Sequence, residues 1–223
     1  MLKKILFLGL ALVASVSWAS AQIMPSPARA EGKGPYEKLI IRGVTLIDGT
    51  GAPPLGPVDI VVEKNRITQI QAVGYPGVPI NENRRPKADD KTKVMDLTGH
   101  YLMPGLIDMH GHIGGSGQGT PAEYVFKLWM AHGITTVRDP SAGNGLTWVL
   151  DHKKKSAANE ITAPRILAYT AFGQGAKDPI TNAEQAKAWV NENKEKGADG
   201  IKFFGAKPEV MEAAISENKR IGL

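Results

Sequence analysis

Beyond Tyr101 the sequence alternates short β-rich runs with helix-length runs, and this alternation restricts the fold more than any other feature. Strand character falls at residues 104–112, 134–137, 165–170 and 200–204. Helical periodicity falls between them. Thr120-Pro121-Ala122-Glu123 reads as a capping box with proline at the first helical position, followed by an apolar stripe of Val125, Leu128 and Trp129. Further helices are expected over 146–158, over 183–196 with Ala183, Ala186 and Val190 inward, and from Pro208 with Val210, Met211, Ala214 and Ile215 inward and Gly222 as C-cap. Strands alternating with helices of this length imply right-handed βαβ units on a parallel sheet. An open doubly wound sheet normally carries a glycine-rich phosphate turn after its first strand, and Gly114-Gly115-Ser116-Gly117 does not match that fingerprint. A (β/α)8 barrel places its chemistry at strand C-termini but takes about 250 residues. The expected architecture is therefore α/β, a partial (β/α)8 TIM-type barrel of four βα units over 101–223, on a chain that reads as a fragment.

The remainder of the chain is organised differently. Lys3 and Lys4 precede an apolar run at 5–16, and Ala19-Ser20-Ala21 supplies the small residues of a signal-peptidase site. Residues 1–21 thus read as a secretory signal peptide cleaved before Gln22. The run is shorter than the roughly 20 apolar residues of a spanning helix, so no stable membrane span is expected after cleavage. Export through the general pathway follows, to the periplasm if the host is a diderm bacterium. There is no cysteine, which excludes disulfides, thiolate metal ligands and a lipidated cysteine. Residues 22–34, rich in Ala, Pro, Ser and Gly, read as a linker, and 35–100 as a small β unit with strands at 39–46, 58–63, 66–73 and 94–97 and an exposed loop over 74–93. The net charge of +5 falls by two when Lys3 and Lys4 leave, and Lys153-Lys154-Lys155 reads as a solvated helix face, so nucleic acid is not an expected partner.

Within the first strand-like run, His110 and His112 are two residues apart. In an extended strand both imidazoles point to one face together with Asp108, at the strand's C-terminal end. Two readings are open on spacing alone: a paired-imidazole metal site, or polar core residues satisfied by hydrogen bonds. Lys202 is a lone cation in the apolar run Gly200-Ile201-Lys202-Phe203-Phe204, and burial costs it several kcal/mol unless it is paired, neutralised or modified. The alternative is a head that snorkels to water. His100, His132 and His152 sit in a turn, at a helix end and in the lysine-rich helix, where structural or solvated roles are expected.

The run 101–112, Tyr-Leu-Met-Pro-Gly-Leu-Ile-Asp-Met-His-Gly-His, resembles the first barrel strand of the metal-dependent amidohydrolase superfamily. Residues 133–139 resemble its second strand, 43–51 its N-terminal β-sandwich portion, and 197–202 the fourth strand of two-metal members. The resemblance favours the imidazolonepropionase and Xaa-Pro dipeptidase-like branch. It implies that His110 and His112 ligate one divalent metal and that Lys202, carboxylated by CO2, bridges it to a second. Two zinc ions are implied, with nickel, manganese or iron as alternatives. The implied reaction is hydrolysis of a carbon-nitrogen amide bond, in a small amide or peptide-like substrate, by metal-activated hydroxide. Two further histidines and an aspartate of the family pattern have no counterpart here, and Asp108, Arg138 and Asp139 are candidates for orienting the ligands or for ordinary ion pairs. Two other functions are kept beside this one: a non-catalytic half-barrel that binds a missing C-terminal half or a second copy, and a related barrel hydrolase acting on esters, lactones, phosphotriesters or exocyclic amines.

Overall fold

The computed structural model describes residues 33–223, so the leader at 1–21 and all but the end of the linker at 22–34 lie outside the described residues. The first described unit is a mixed sheet of five strands: β1 (Lys38–Leu46), β2 (Leu55–Glu63), β3 (Arg66–Ala72), β4 (Thr92–Asp96) and β5 (Tyr101–Leu102). Their order is β3-β2-β1-β4, with β5 also on β1. The β1–β2 and β2–β3 pairs are antiparallel, whereas β4 and β5 run parallel to β1. Period-two alternation buries Val44, Val58 and Ile60 together, with Ile41, Leu46, Val62, Leu97 and Leu102 packed around them. The loop over 74–93 is not simply exposed. It returns Arg85 to the fully buried Asp59, whose carboxylate accepts from Arg85 Nη1 at 3.3 Å and from the Gly43 backbone N–H at 2.9 Å. Burying that carboxylate is tolerable because its acceptor capacity is used.

Tyr101 and Leu102, read from the sequence with the histidine run, instead pair with Thr45 and Leu46 in this first sheet. Pro104, which has no N–H to donate, separates them from the second sheet. That sheet begins where Leu106 N–H donates to Gly133 O at 2.8 Å.

The second sheet contains β6 (Leu106–Asp108), β7 (Ile134–Asp139), β8 (Arg165–Ala171) and β9 (Gly200–Lys202), all parallel and in chain order. Each strand leads into a helix: α1 (Ala122–Ala131), α2 (Leu146–Ala157), α3 (Ala183–Lys196) and α4 (Pro208–Ile221). One buried cluster joins Phe126 of α1 and Val149 of α2 to Val137, Ile166 and Ala168 of the sheet. A second joins Ala186, Trp189 and Val190 of α3 to Val210 and Ala214 of α4. Gly222 closes α4 in the left-handed region at φ 67°.

Three local expectations differ from the structure. Helix α1 has Pro121 at its N-cap and no side-chain cap, because Thr120 is used elsewhere: its backbone bridges to Gly115 and its hydroxyl donates to Gln118 O at 3.3 Å. The inward residue of that helix is Phe126, fully buried, whereas Leu128 is exposed. In α4 the buried positions are Val210, Ala214 and Glu217, and Ile215 faces outward.

Candidate metal-binding site at the strand ends

The strand β6 stops at Asp108, so His110 and His112 lie just beyond it rather than within it. Asp108 makes that stop: its Oδ1 accepts the His110 backbone N–H at 2.9 Å, turning the chain at Met109 and His110. The two imidazoles nevertheless come together, with ring centroids 5.4 Å apart and planes at 76°. The intervening residue has to be glycine. A Cβ on Gly111 would lie 2.4 Å from Val137 Cγ2 and 2.7 Å from Trp129 Cζ2, so this side of the segment is pressed on the core while the histidines stay accessible.

Asp139, at the end of β7, is almost completely buried. Its carboxylate accepts from the backbone N–H groups of Ser141 at 3.2 Å and Ala142 at 3.0 Å, and from Ile113 N–H at 3.5 Å. His112 Nδ1 lies 3.8 Å from Asp139 Oδ1, beyond hydrogen-bond length but within ion-pair range. Arg138 Nε donates to Met109 O at 2.7 Å, and Arg138 O accepts from Gly111 N–H at 3.0 Å.

The loops on this edge are tied in series. Asn144, between β7 and α2, donates to Gly114 O and accepts from Gly117 N–H at 3.2 Å, closing a concavity of about 170 Å³ beside His112. Gln174, after β8, donates to Ala142 O at 2.8 Å. Trp189 of α3 then donates from Nε1 to Gln174 O at 3.2 Å. The sequence reading did not single out Asn144 or Gln174, because an amide in a loop announces its partner only once the strands are in place.

Lys202 is on the same C-terminal edge, but at the far side of the sheet, with β7 and β8 between. It is half-buried at the end of β9, with Nζ 5.0 Å from the centroid of the exposed Phe204 ring. It shares a cavity of about 250 Å³ with Arg138, Pro140, Tyr169 and Ile201. Among the described residues no carboxylate lies within ion-pair distance of it. The remaining histidines are occupied locally: His100 Nδ1 is 3.2 Å from Leu97 O, and His132 Nδ1 is 2.7 Å from Leu128 O. His152 is buried against Phe126 and Trp148, with Nδ1 2.9 Å from Trp148 O. Lys153, expected to be solvated, binds Asp199 with Nζ 2.6 Å from Oδ2.

The pair of imidazoles suits one ion in chemistry and spacing. Two imidazoles sharing a tetrahedral zinc at about 2.1 Å per nitrogen bring their ring centres to about 5 Å. The donor set is short in number, since among the described residues no three His, Cys, Asp or Glu side chains form a metal-holding group.

No family model matches the chain. Curated relatives include adenine deaminase 2 of Rhizobium etli, 34% identical over 132 residues, covering 56% of this chain and 19% of that protein. The adenine deaminase of Paracoccus denitrificans is 29% identical over 184 residues, covering 79% and 28%. Among solved structures, a candidate prolidase from Bifidobacterium longum superposes with a TM-score of 0.63 at 24% identity, over 84% of this chain and 48% of that one. A Xaa-Pro dipeptidase with bound methionine in its active site gives 0.58 at 23%, over 83% and 55%. The chain thus spans 19% and 28% of these two curated relatives and about half of these solved chains. The structural likeness is one of fold, a mixed α/β chain with a half-barrel parallel sheet. The chain is thus similar in sequence to these adenine deaminases and in fold to these prolidase structures, in agreement with the resemblance of residues 101–112, 133–139 and 197–202 to the metal-dependent amidohydrolase superfamily.

Proposed function

We propose that this chain carries the first metal ligands of an exported hydrolase acting on carbon-nitrogen bonds, with an amide as the bond cleaved. The observation that carries the reading is the His110–His112 pair, 5.4 Å apart at the end of a parallel strand with Gly111 pressed on the core between them. His110 and His112 would hold a divalent ion, zinc by the nature of the donors, with nickel, manganese and iron as alternatives. The ion, when bound, supplies acidification of a water and polarisation of the scissile carbonyl.

This chain's own residues do the positioning. Asp139 fixes the loop after His112, and Gly111 keeps the imidazoles clear of the core. Lys202 is the candidate for carboxylation: its neutral amine adds to CO2 and loses a proton, which converts a cation without a carboxylate partner into an anionic ligand for a second ion. Export rests on the leader at 1–21, with Gln22 as the mature N-terminus.

A second reading of the bond comes from the adenine deaminase relatives, in which an exocyclic C–N bond is cleaved instead. Both readings are tested together. The natural gene product, loaded with zinc, is assayed against N-acyl amino acids, Xaa-Pro dipeptides and adenine, and against a lactone and a phosphotriester. The amide reading expects turnover of the first two classes that His110→Ala abolishes. Turnover of adenine alone moves the function to deamination, and turnover of the lactone or phosphotriester alone removes the C–N assignment.

A further inference from the structure

We infer that Arg138 is a positioning residue that sets the orientation of His110 and links the histidine end of the sheet to the Lys202 end. The inference deepens the metal-site reading above and rests on it for its functional meaning. The segment around His110 is bracketed by one residue of the neighbouring strand. On one side Arg138 Nε donates to Met109 O at 2.7 Å, and on the other Arg138 O accepts from Gly111 N–H at 3.0 Å. The peptide planes on both sides of His110 are therefore tied to the same residue. Since β6 has already ended at Asp108, regular strand pairing no longer fixes this stretch, and the side chain takes over where the ladder stops.

The guanidinium that does this is itself held in place. Its Cζ lies 5.1 Å over the centroid of the Tyr169 ring on β8, a cation–π arrangement that restrains the plane of the fork. Tyr169 in turn occupies space available only because its register partner on β9 is Gly200, where a Cβ would lie 2.2 Å from Tyr169 Cε1. Two residues beyond Gly200 is Lys202, which lines the same cavity as Arg138 and Tyr169. A continuous set of contacts thus runs from His110 through Arg138 and Tyr169 to β9, across the strands that separate the two candidate ligand positions. A lysine at 138 would keep the charge but not the planar Nε–H donor, so the link depends on the guanidinium.

The test uses the whole chain, with NMR of the histidine side chains and Co2+ as the metal probe. In Arg138→Lys the ring signals of His110 are expected to shift and broaden while those of His112, placed by Asp139, stay near their wild-type positions. Co2+ affinity is expected to fall about tenfold, in line with the loss of a residue that orients a metal ligand. Tyr169→Ala should move the same His110 signals in the same direction, and Tyr169→Phe, which keeps the ring, should not. Lys153→Met breaks the ion pair with Asp199 and serves as the control for a merely structural loss: it should lower the urea midpoint without moving the His110 signals. Arg138→Gln is the second variant should Arg138→Lys fail to fold. Unchanged His110 signals in Arg138→Lys, or the same change in Lys153→Met, overturn the inference. The two readings fail separately. A wild-type chain that binds no Co2+ but whose His110 is released by Arg138→Lys sinks the metal site and keeps the brace, and the reverse pattern sinks only the brace.

Discussion

The two ends of the parallel sheet present their candidate ligands in different ways. At the β6–β7 end every neighbour of the histidine pair is fixed: Gly111 is against Trp129 and Val137, Asp139 is buried with three backbone donors, and Asn144 holds the following loop. At the β9 end Lys202 is half-buried, and its Nζ lies over the exposed ring of Phe204. The histidines are thus organised before any ion arrives, whereas the lysine waits for a further group to define its position. Pre-ordering reduces what binding must spend on side-chain entropy, so under the proposed function the histidine end would take the first ion.

Removing the support beneath the histidines should have the largest effect. Phe126 is fully buried under this end, and Phe126→Ala is expected to cost about 3–5 kcal/mol in urea unfolding. A result under 1 kcal/mol would show that this end is not rigidly packed.

Next come the two glycines that each end requires. Gly111→Ala introduces a methyl against two core side chains and should cost about 1–3 kcal/mol, with displaced histidine signals. Gly200→Ala sets a Cβ 2.2 Å from Tyr169 Cε1, so it should displace that ring and move the His110 signals, through Arg138, in the direction of Tyr169→Ala. Unmoved His110 signals in Gly200→Ala would separate the two ends of the sheet. For metal binding, His110→Ala or His112→Ala should abolish Co2+ binding by the 223-residue chain, while Lys202→Ala should change its affinity less than about threefold. Titration followed by cobalt absorbance decides this.

The smallest effect concerns the helices behind β9. Glu217 on α4 accepts from Arg220 and Asn191, which hold its carboxyl well below the ordinary range, at about 2. A carboxylate with a depressed folded pKa adds stability that is full above its unfolded value of about 4.5 and is lost as pH falls toward 2. Wild type should therefore lose more of its urea midpoint between pH 5 and 2.5 than Glu217→Gln does. Parallel pH profiles for the two proteins would remove Glu217 from the support of this end.

Much of this contrast follows from local sequence, and the part that does not has a physical reason. The helix at 183–196 and the histidine pair are legible because periodicity and spacing are short-range properties. The end of β6 at Asp108 was not, since a carboxylate capping a turn two residues on looks in sequence like one more position on a strand face. Tyr101 and Leu102 were assigned to the wrong sheet for a similar reason: pairing with Thr45 and Leu46 is a choice between distant partners that an apolar run does not record. Phe126, His152, Asn144 and Gln174 gain their roles only from contacts across the sheet and helix layers.

The series of loop ties also sets an order in time. Gly114 waits for Asn144, Ala142 for Gln174, and Gln174 for Trp189, so each loop is secured by chain that lies after it. A ribosome adds about 5–20 residues per second, so His112 is made several seconds before Trp189. During that interval the loop beside the histidines lacks its last fastener. The site at the start of the second sheet is thus made before the chain that locks it.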